Sequence, residues 1–235
     1  MTDINFEKSI PKKVFKEELK KFIKIFLFLS LIILVAINWQ IIKGMFNYKA
    51  IYGEIIDSLK KEEEKGVVFK APETDEFPFT PLEKSSLTRF TEKPDSIEIP
   101  KIEVETPLVF IESKENRDYQ AVLKKGAVHY SGSALPGENG QTIVLGHSAP
   151  SFWPKKNYNW IFRRLDRLEA GDEIIINYQN RQYRYLVYEK LFLNPGDEIP
   201  RGGLTNSENV LFLISCWPPE TGQKRIVVQS RLAQQ

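Results

Sequence analysis

The apolar residues near the N-terminus are concentrated in one long stretch. Residues 25–42 form 18 consecutive positions without a charged side chain, which is near the shortest segment that crosses a lipid bilayer. Six lysines lie between positions 12 and 24, whereas only Lys43 and Lys49 follow the stretch closely. Because positively charged flanks stay in the cytoplasm, we predict one uncleaved transmembrane helix over residues 25–42, with residues 1–24 cytoplasmic and the rest of the chain extracellular.

Two alternatives to a membrane anchor exist for this stretch. One is a cleaved signal peptide, although the apolar run exceeds the roughly 7–15 residues of a signal-peptide core and no small-residue cleavage site follows it. The other is a helix buried inside a globular core. A mature N-terminus found after residue 38 would contradict the uncleaved anchor.

The pattern after the apolar stretch becomes amphipathic and then rich in proline. A helix is predicted over residues 48–65, because apolar side chains recur there at intervals of three and four residues: Ile51, Ile55, Ile56 and Leu59. Its simplest interpretation is a spacer. Residues 66–95 contain four prolines, which predicts an extended linker. Residues 43–93 are therefore predicted to form a stalk that holds the domain of residues 94–235 away from the bilayer.

From Ser96 onward, the apolar positions follow the two-residue period of β-strands. The runs Asp172–Tyr178 and Gln182–Leu193 flank a polar turn and predict a hairpin. Other runs of strand length are Ile97–Ile99, Ile102–Val104, Pro107–Ile111, Gln141–His147, Val210–Cys216 and Arg225–Leu232. Short helical segments are predicted over residues 117–125 and 159–168. Six to eight short strands with only short helices predict a mostly β fold, a closed or nearly closed barrel.

Composition and motifs exclude several classes of function. The net charge is +2, with 33 basic and 31 acidic residues, so no global field favours binding to nucleic acid. The chain contains no glycine-rich phosphate-binding motif and no HExxH zinc motif. Its one cysteine, Cys216, excludes an internal disulfide and a multi-cysteine metal site. We therefore predict no metal, no cofactor and no nucleic-acid partner.

Three residues with complementary chemistry stand at strand ends. Cys216 and His147 each close an apolar strand, and Arg225 begins the last strand, nine positions after the cysteine. If the last two strands pair antiparallel, Cys216 and Arg225 meet at one rim of the barrel, which His147 can share. A cysteine thiolate attacks a carbonyl carbon and an imidazolium protonates the leaving amine. A guanidinium can stabilise the oxyanion that forms between these steps.

The sequence around these residues resembles the sortase family of cysteine transpeptidases. That family has a Gly-His pair on one strand, a hydroxyl residue and the cysteine at the end of another, and an arginine on the next. The matching positions here are Gly146, His147, Ser215, Cys216 and Arg225. The resemblance covers about residues 94–233 and looks most like the class D and E branches. It implies an eight-stranded sortase-type barrel, with Cys216 as nucleophile, His147 as general acid and base, and Arg225 as the oxyanion-binding and substrate-orienting group.

Four further residues are predicted to contact the substrate. His129 matches a histidine that the family often has, and we expect a structural or substrate-contacting role near Cys216 rather than direct chemistry. Ser148 and Ser215 are expected to donate hydrogen bonds to the substrate or to the catalytic groups, and Ser215 keeps the hydroxyl of the family's usual threonine. Trp217 is expected to form a wall of the site, with simple packing as the alternative.

The resemblance implies a membrane-anchored sortase with a two-step reaction. Cys216 would cleave a Leu-Pro-x-Thr-Gly-like C-terminal sorting signal of a surface protein or pilin and form a thioacyl-enzyme. A primary amine, from a cell-wall peptide or a pilin lysine, would then resolve that intermediate. Two other functions stay open at this point: a cysteine peptidase, in which water resolves the intermediate, and a catalytically silent, membrane-tethered binding domain on the same barrel.

Overall fold

The computed structural model describes five segments of the chain. They are residues 12–65, 88–113, 115–152, 154–199 and 209–233. Two compact units share these residues, and the boundary between the units falls at Lys43 and Gly44. Most of the linker predicted over residues 66–95 lies outside the described residues, which resume at Thr88.

The first unit contains helix α1 (Lys12–Ile37), whose apolar second half is exposed on all sides. The helix ends where Asn38 donates a hydrogen bond from Nδ2 to the carbonyl oxygen of Leu34, at 2.7 Å, and helix α2 (Trp39–Glu64) begins at the next residue. Among the described residues, no helix is both long enough and apolar enough to cross a membrane. The transmembrane helix predicted over residues 25–42 is thus not confirmed, because a turn at Asn38 divides that stretch between two helices.

Within the described residues, the second unit contains nine β-strands. Their bounds are β1 (Thr88–Phe90), β2 (Ser96–Ile99), β3 (Val104–Phe110), β4 (Ala127–His129), β5 (Gly140–Leu145), β6 (Glu173–Tyr178), β7 (Arg181–Leu193), β8 (Asn209–Trp217) and β9 (Lys224–Leu232). Helix α3 (Asn116–Val122) and two 3₁₀ turns, Pro100–Ile102 and Leu165–Arg167, lie in the connections. The predicted hairpin is confirmed as β6 and β7, and each predicted short helical segment overlaps one of these helical elements.

Strands β2 to β9 close into a barrel. The order around it is β7-β6-β2-β3-β4-β5-β8-β9, and β9 returns to β7. Closure depends on the length of β7, which has 13 residues: its first half pairs with β6, and its stretch from Tyr185 to Leu193 pairs antiparallel with β9. The short strand β1 adds to the first three residues of β7, inside the segment predicted as a linker. The predicted mostly β, eight-stranded barrel is therefore confirmed.

Two apolar clusters lie on opposite faces of the strands β4, β5, β8 and β9, because successive side chains of a strand point to opposite faces. The interior cluster fills the barrel and receives side chains from every strand between β2 and β9. The outer cluster lies on the other face and is covered by α2 and by Tyr119 and Leu123 at α3. Its members from the strands include Ile143, Leu145, Phe212, Ile214 and Val227.

The second half of α2 is part of this packing. Ile55, Ile56 and Leu59 are at most 2% exposed and belong to the outer cluster. Burial of each aliphatic side chain contributes about 1.5–3 kcal/mol, so this contact is a substantial part of the fold. The helix predicted over residues 48–65 is confirmed, with an earlier start at Trp39. Its interpretation as a spacer is wrong for the last turns, because they pack against the barrel.

Candidate active site

Cys216 lies on β8 between the two strands that carry the other predicted catalytic residues. On one side, β9 runs antiparallel and Arg225 is the register partner of Cys216. On the other side, β5 runs parallel to β8, and Gly146 continues the register by donating a hydrogen bond to the carbonyl of Ile214, at 3.3 Å. The next residue, His147, is therefore level with Cys216. The structure brings all three residues to the same end of the barrel.

The three side chains also share one face of the sheet. Cys216 belongs to the outer cluster. Leu145 and Val227 also belong to the outer cluster. Side chains two positions apart on a strand point to the same face, so His147, two positions after Leu145, and Arg225, two positions before Val227, lie on the outer face as well. Their exposed fractions are small, 3% for Cys216, 4% for His147 and 6% for Arg225. The candidate site is therefore a buried group of side chains at the strand ends.

Two serine hydroxyls form hydrogen bonds between the end of β5 and the end of β8. Ser148 donates a hydrogen bond from Oγ to the carbonyl of Cys216, at 2.7 Å, and Ser215 donates one to the carbonyl of Gly146, also at 2.7 Å. Both serines are at most 1% exposed. The structure thus gives these residues a positioning role, because their hydroxyls hold the backbone on either side of the cysteine. Direct contact with substrate stays a prediction.

His147 is a neutral base at physiological pH. Burial, and to a smaller extent the positive charge of Lys124, lowers its pKa from 6.5 to about 4. Its carbonyl accepts a hydrogen bond from the amide of Phe162, at 2.9 Å, which fixes the backbone behind the ring. A neutral imidazole can accept a proton, so His147 is in the form that a general base requires.

Acid is expected to destabilise the fold between pH 6.5 and pH 4. In this interval the unfolded chain binds more protons than the folded chain, because His147 titrates near 6.5 when unfolded and at about 4 when folded. This contribution is complete above pH 6.5 and is lost as the pH falls through 4, a change of about 3 kcal/mol. Urea unfolding at pH 7 and pH 4 should show a smaller loss in His147→Gln than in the wild type.

A matched variant at the other histidine checks this assignment. Burial also lowers the pKa of His129, so His129→Gln should remove a separate part of the same acid sensitivity. If the loss of unfolding free energy in His147→Gln equalled that of the wild type, the burial of a neutral His147 would be contradicted.

Gly146 allows the close approach that positions His147. A Cβ at this residue would lie 2.3–2.8 Å from ring atoms of Phe162, whose side chain is 1% exposed and has no room to move. We expect Gly146→Ala to lower the free energy of unfolding by about 1–3 kcal/mol and to reduce activity by displacing His147. Thermal unfolding and turnover measure these effects, and Gly53→Ala is a control because its backbone is helical and the nearest atom to its added Cβ, Nδ2 of Asn116, lies at an ordinary contact distance of 3.5 Å. Unchanged turnover in Gly146→Ala would contradict the positioning role.

Arg225 is held by the loop that connects β8 to β9. Its Nη1 donates hydrogen bonds to the carbonyl of Gly222, at 3.1 Å, and to the carbonyl of Lys224, at 3.0 Å. These two bonds fix the plane of the positively charged guanidinium. The neighbouring Lys224 is exposed and opposes Trp217 in the register. Of the two adjacent cations, Arg225 is therefore the one on the face of Cys216.

His129 lies away from this end of the barrel. On β5, its register partner is Val144. Val144 precedes His147 by three residues, which corresponds to about 10 Å along the strand. Its Nε2 is 2.9 Å from the carbonyl oxygen of Ala134 and 3.0 Å from the hydroxyl of Ser133. These buried partners give His129 the structural role that the sequence left open, and the structure does not bring it beside the cysteine.

Trp217 lies on the face opposite Cys216. It follows the cysteine directly on β8, so its side chain points toward the interior cluster, against which it is packed. Its ring contacts Phe192, with ring centroids 5.4 Å apart. The structure therefore supports the packing alternative, and a wall of the substrate site stays a prediction for Trp217.

The sequence did not indicate what covers the cysteine face. Ile55 and Ser58 of α2, together with Ile199, share with Arg225 the lining of a cavity of about 10 Å³, which has room for roughly one water molecule. The periodic apolar positions of α2 predict a helix with one apolar face, but they do not specify the surface that this face contacts. These residues are the part of the site that sequence reasoning missed.

The site offers acid–base and nucleophilic chemistry from side chains. Within the described segments, no group of three or more histidine, cysteine, aspartate or glutamate side chains is placed to hold a metal ion. The ends of three neighbouring strands bring together a thiol, a neutral imidazole and a fixed guanidinium. This combination is suited to acyl transfer through a thioester.

Most of the second unit matches a known protein domain. Residues 97–233, more than half of the chain, match the family model described as Sortase domain. Among curated proteins, Sortase D of Bacillus subtilis (strain 168) is 30% identical over 122 residues. That match covers 52% of this chain and 53% of the relative, so the chain spans about half the length of this relative.

Solved structures with a similar fold are also sortases. Sortase A from Corynebacterium diphtheriae, in a lid mutant, superimposes with a TM-score of 0.50 at 20% identity, covering 79% of this chain and 95% of that chain. Sortase C from Streptococcus pneumoniae gives a TM-score of 0.49 at 24% identity, covering 59% of this chain and 65% of that chain. At these identities the likeness concerns the fold alone.

Proposed function

Because the chain belongs to the sortase family, we propose that it is a cysteine transpeptidase with Cys216 as nucleophile, His147 as general acid and base, and Arg225 as the oxyanion-binding and substrate-orienting group. The observation that carries this proposal is the placement of the three residues on one face at one end of the barrel. Together they offer a nucleophile, a proton carrier and a fixed positive charge.

The first half of the proposed reaction forms a thioester. Cys216 gives its proton to the neutral imidazole of His147, and Sγ bonds to the carbonyl carbon of a Thr–Gly peptide. The carbonyl oxygen becomes an oxyanion, which the guanidinium of Arg225 stabilises. The C–N bond then breaks, and the imidazolium of His147 donates its proton to the glycine nitrogen, which leaves as an amine.

The second half transfers the acyl group and restores the enzyme. An acceptor amine attacks the thioester carbonyl and gives a proton to the imidazole of His147. The C–S bond of the resulting tetrahedral species breaks, the new amide forms, and the imidazolium returns the proton to the sulfur of Cys216. No proton or electron is gained or lost over the cycle.

We propose a Leu-Pro-x-Thr-Gly-like C-terminal sorting signal of a surface protein or pilin as the acyl donor, and a primary amine of a cell-wall peptide or pilin lysine as the acceptor. Family membership supports this donor and acceptor chemistry. The apolar surface next to Cys216 supports it further, because Ile199, Ile214 and Val227 could bind the apolar first residues of such a signal.

An amine-competition assay tests the transferase proposal. The full chain is incubated with a sorting-signal peptide, with and without triglycine or hydroxylamine, and the products are separated by mass. We expect the amine adduct to replace the free acid as the amine concentration rises. If only the hydrolysed acid forms at saturating amine, the transferase proposal fails and the chain acts as a cysteine peptidase.

We also propose that residues 25–42 anchor the chain in the membrane, with the barrel outside the cell. The support is the exposed apolar surface on all sides of α1, which is typical of a helix in lipid, and the lysines that precede it. Protease added to intact cells should digest the barrel and spare an epitope placed within residues 1–24. Release of the undigested chain by carbonate washing would contradict the anchor.

A further inference from the structure

The connection between β5 and β6 packs into the end of the barrel at which the site residues lie. His147 belongs to this connection, because it follows the end of β5 by two residues. Four apolar side chains of the connection are at most 1% exposed and belong to the interior cluster: Ile161, Phe162, Leu165 and Leu168. The proposed general base and the side chains that fill the barrel end are therefore parts of one continuous segment.

Backbone hydrogen bonds connect His147 to the helical turn of this segment. The amide of Phe162 donates to the carbonyl of His147, at 2.9 Å. The amide of Leu165 donates in turn to the carbonyl of Phe162, at 3.3 Å, and the amide of Leu168 donates to the carbonyl of Leu165, at 3.1 Å. A shift of the turn at Leu165 would therefore move the backbone behind the imidazole.

The end of this turn is held by Lys190 of β7. The register partner of Lys190 is Val228 of the interior cluster. Because cross-strand partners share a face of the sheet, the lysine side chain points into the barrel. Its Nζ donates hydrogen bonds to the carbonyl of Asp166 and, at 2.9 Å, to the carbonyl of Leu168. A cation is favourable here, because the last carbonyls of a helical turn lack backbone partners and carry partial negative charge.

A lysine that points into the barrel requires a reason. Burial of an ammonium group costs free energy unless its donors find acceptors, and Lys190 is half-buried. Within the described residues, it forms no ion pair with a carboxylate, and its partners are the two carbonyls of the connection. The charge of Lys190 is therefore directed at the segment that carries His147.

We propose that Lys190 is a positioning residue of the transfer reaction, which holds the connection between β5 and β6 where it places the imidazole of His147 beside Cys216. This inference rests on the proposed function, because it assigns proton transfer to His147. Lys190 precedes Leu193, the register partner of Arg225, by about 10 Å along the strand, so its effect is indirect. Loss of its donors should lower kcat and leave KM nearly unchanged, because proton transfer fails while peptide binding persists.

Steady-state kinetics of the full chain with a sorting-signal peptide and triglycine measure this effect. Lys190→Met keeps the aliphatic chain without the donors, and we expect kcat to fall about 10- to 100-fold at a similar KM. Lys190→Arg retains a cation with several donors and should recover most of the lost turnover. Arg167→Met is the matched control, because it removes an exposed cation from the same turn; its kcat should equal that of the wild type. An equal loss in Lys190→Met and Arg167→Met would overturn the proposal.

NMR titration of the imidazoles shows without any substrate whether Lys190 acts on His147. The chain has two histidines, and His129→Gln identifies the resonance that belongs to His147. In the wild type, this resonance should titrate at the lowered pKa of about 4. In Lys190→Met the ring should leave its buried position, so its pKa should rise toward 6.5. Lys190→Arg and Arg167→Met should keep the wild-type pKa.

The two measurements separate this inference from the proposed function. A raised imidazole pKa in Lys190→Met, with no turnover even in the wild type, supports the positioning role and contradicts the proposed function. Turnover with an unchanged imidazole pKa in folded Lys190→Met overturns the positioning role alone. If thermal unfolding shows that Lys190→Met does not fold, Lys190→Gln, which keeps a neutral donor, is compared in the same way. Failure of both variants to fold would show that Lys190 serves the fold alone and would overturn the proposal.

Discussion

Cys216→Ala is expected to lower the turnover of a sorting-signal peptide by about 10⁴-fold or more. The thioester can form at no other side chain, because Cys216 is the only thiol of the chain. The substitution removes one buried sulfur from the outer cluster and should cost only about 1 kcal/mol of unfolding free energy. Loss of activity would then be chemical rather than structural, and turnover and thermal unfolding of the same preparation measure the two effects.

Cys216→Ser provides the matched control for size and polarity. A serine hydroxyl is close in volume to the thiol, but its proton is far harder to remove, so we expect a loss nearly as large as in the alanine variant. If either variant retained turnover within about tenfold of the wild type, Cys216 could not be the nucleophile and the proposed reaction would be wrong.

Arg225→Ala is expected to reduce turnover by about 10²–10³-fold, the usual loss when a group that stabilises an oxyanion is removed. The effect should appear mainly in kcat, because the oxyanion exists in the transition state and not in the bound peptide. Steady-state kinetics with a sorting-signal peptide measure kcat and KM separately. A change confined to KM would indicate substrate binding without transition-state stabilisation.

Two variants show whether the fixed guanidinium or its charge matters. Arg225→Lys keeps the positive charge but cannot reproduce the planar group that donates from Nη1 to Gly222 and Lys224, so we expect an intermediate loss. Lys224→Ala removes the adjacent exposed cation and should leave kcat unchanged. If Lys224→Ala lost as much activity as Arg225→Ala, the assignment of the oxyanion partner would be contradicted.

The strands of the barrel and the pairing of Cys216 with Arg225 can be predicted from patterns in neighbouring residues. Alternating apolar positions place Cys216 and Arg225 on strands, and the short connection between them favours antiparallel pairing, which the register confirms. The position of His147 beside Cys216 cannot be predicted in this way, because β5 and β8 pair in parallel although they are far apart in sequence. The family resemblance indicated that neighbourhood, while no pattern within β5 specifies its partner.

The details that the sequence did not specify concern contacts between distant segments. Hydroxyl groups at Ser148 and Ser215 indicate hydrogen bonding, but the partners prove to be backbone carbonyls across the sheet. His129 stands on a three-residue strand, where its distance from the rim depends on the register with β5 and not on its own sequence. The stripe Ile55–Leu59 predicts an apolar helix face, and the surface that it covers becomes visible only when the barrel is closed.

The central claim is that catalysis proceeds through a thioester on Cys216. Mass spectrometry of the intact chain after incubation with a sorting-signal peptide, in the absence of an acceptor amine, tests it directly. The account predicts a mass increase equal to the peptide fragment up to its threonine, mapped to Cys216, removed by hydroxylamine and absent in Cys216→Ala. Cleavage of the peptide with no adduct at Cys216, or with the adduct on another residue, would contradict the account.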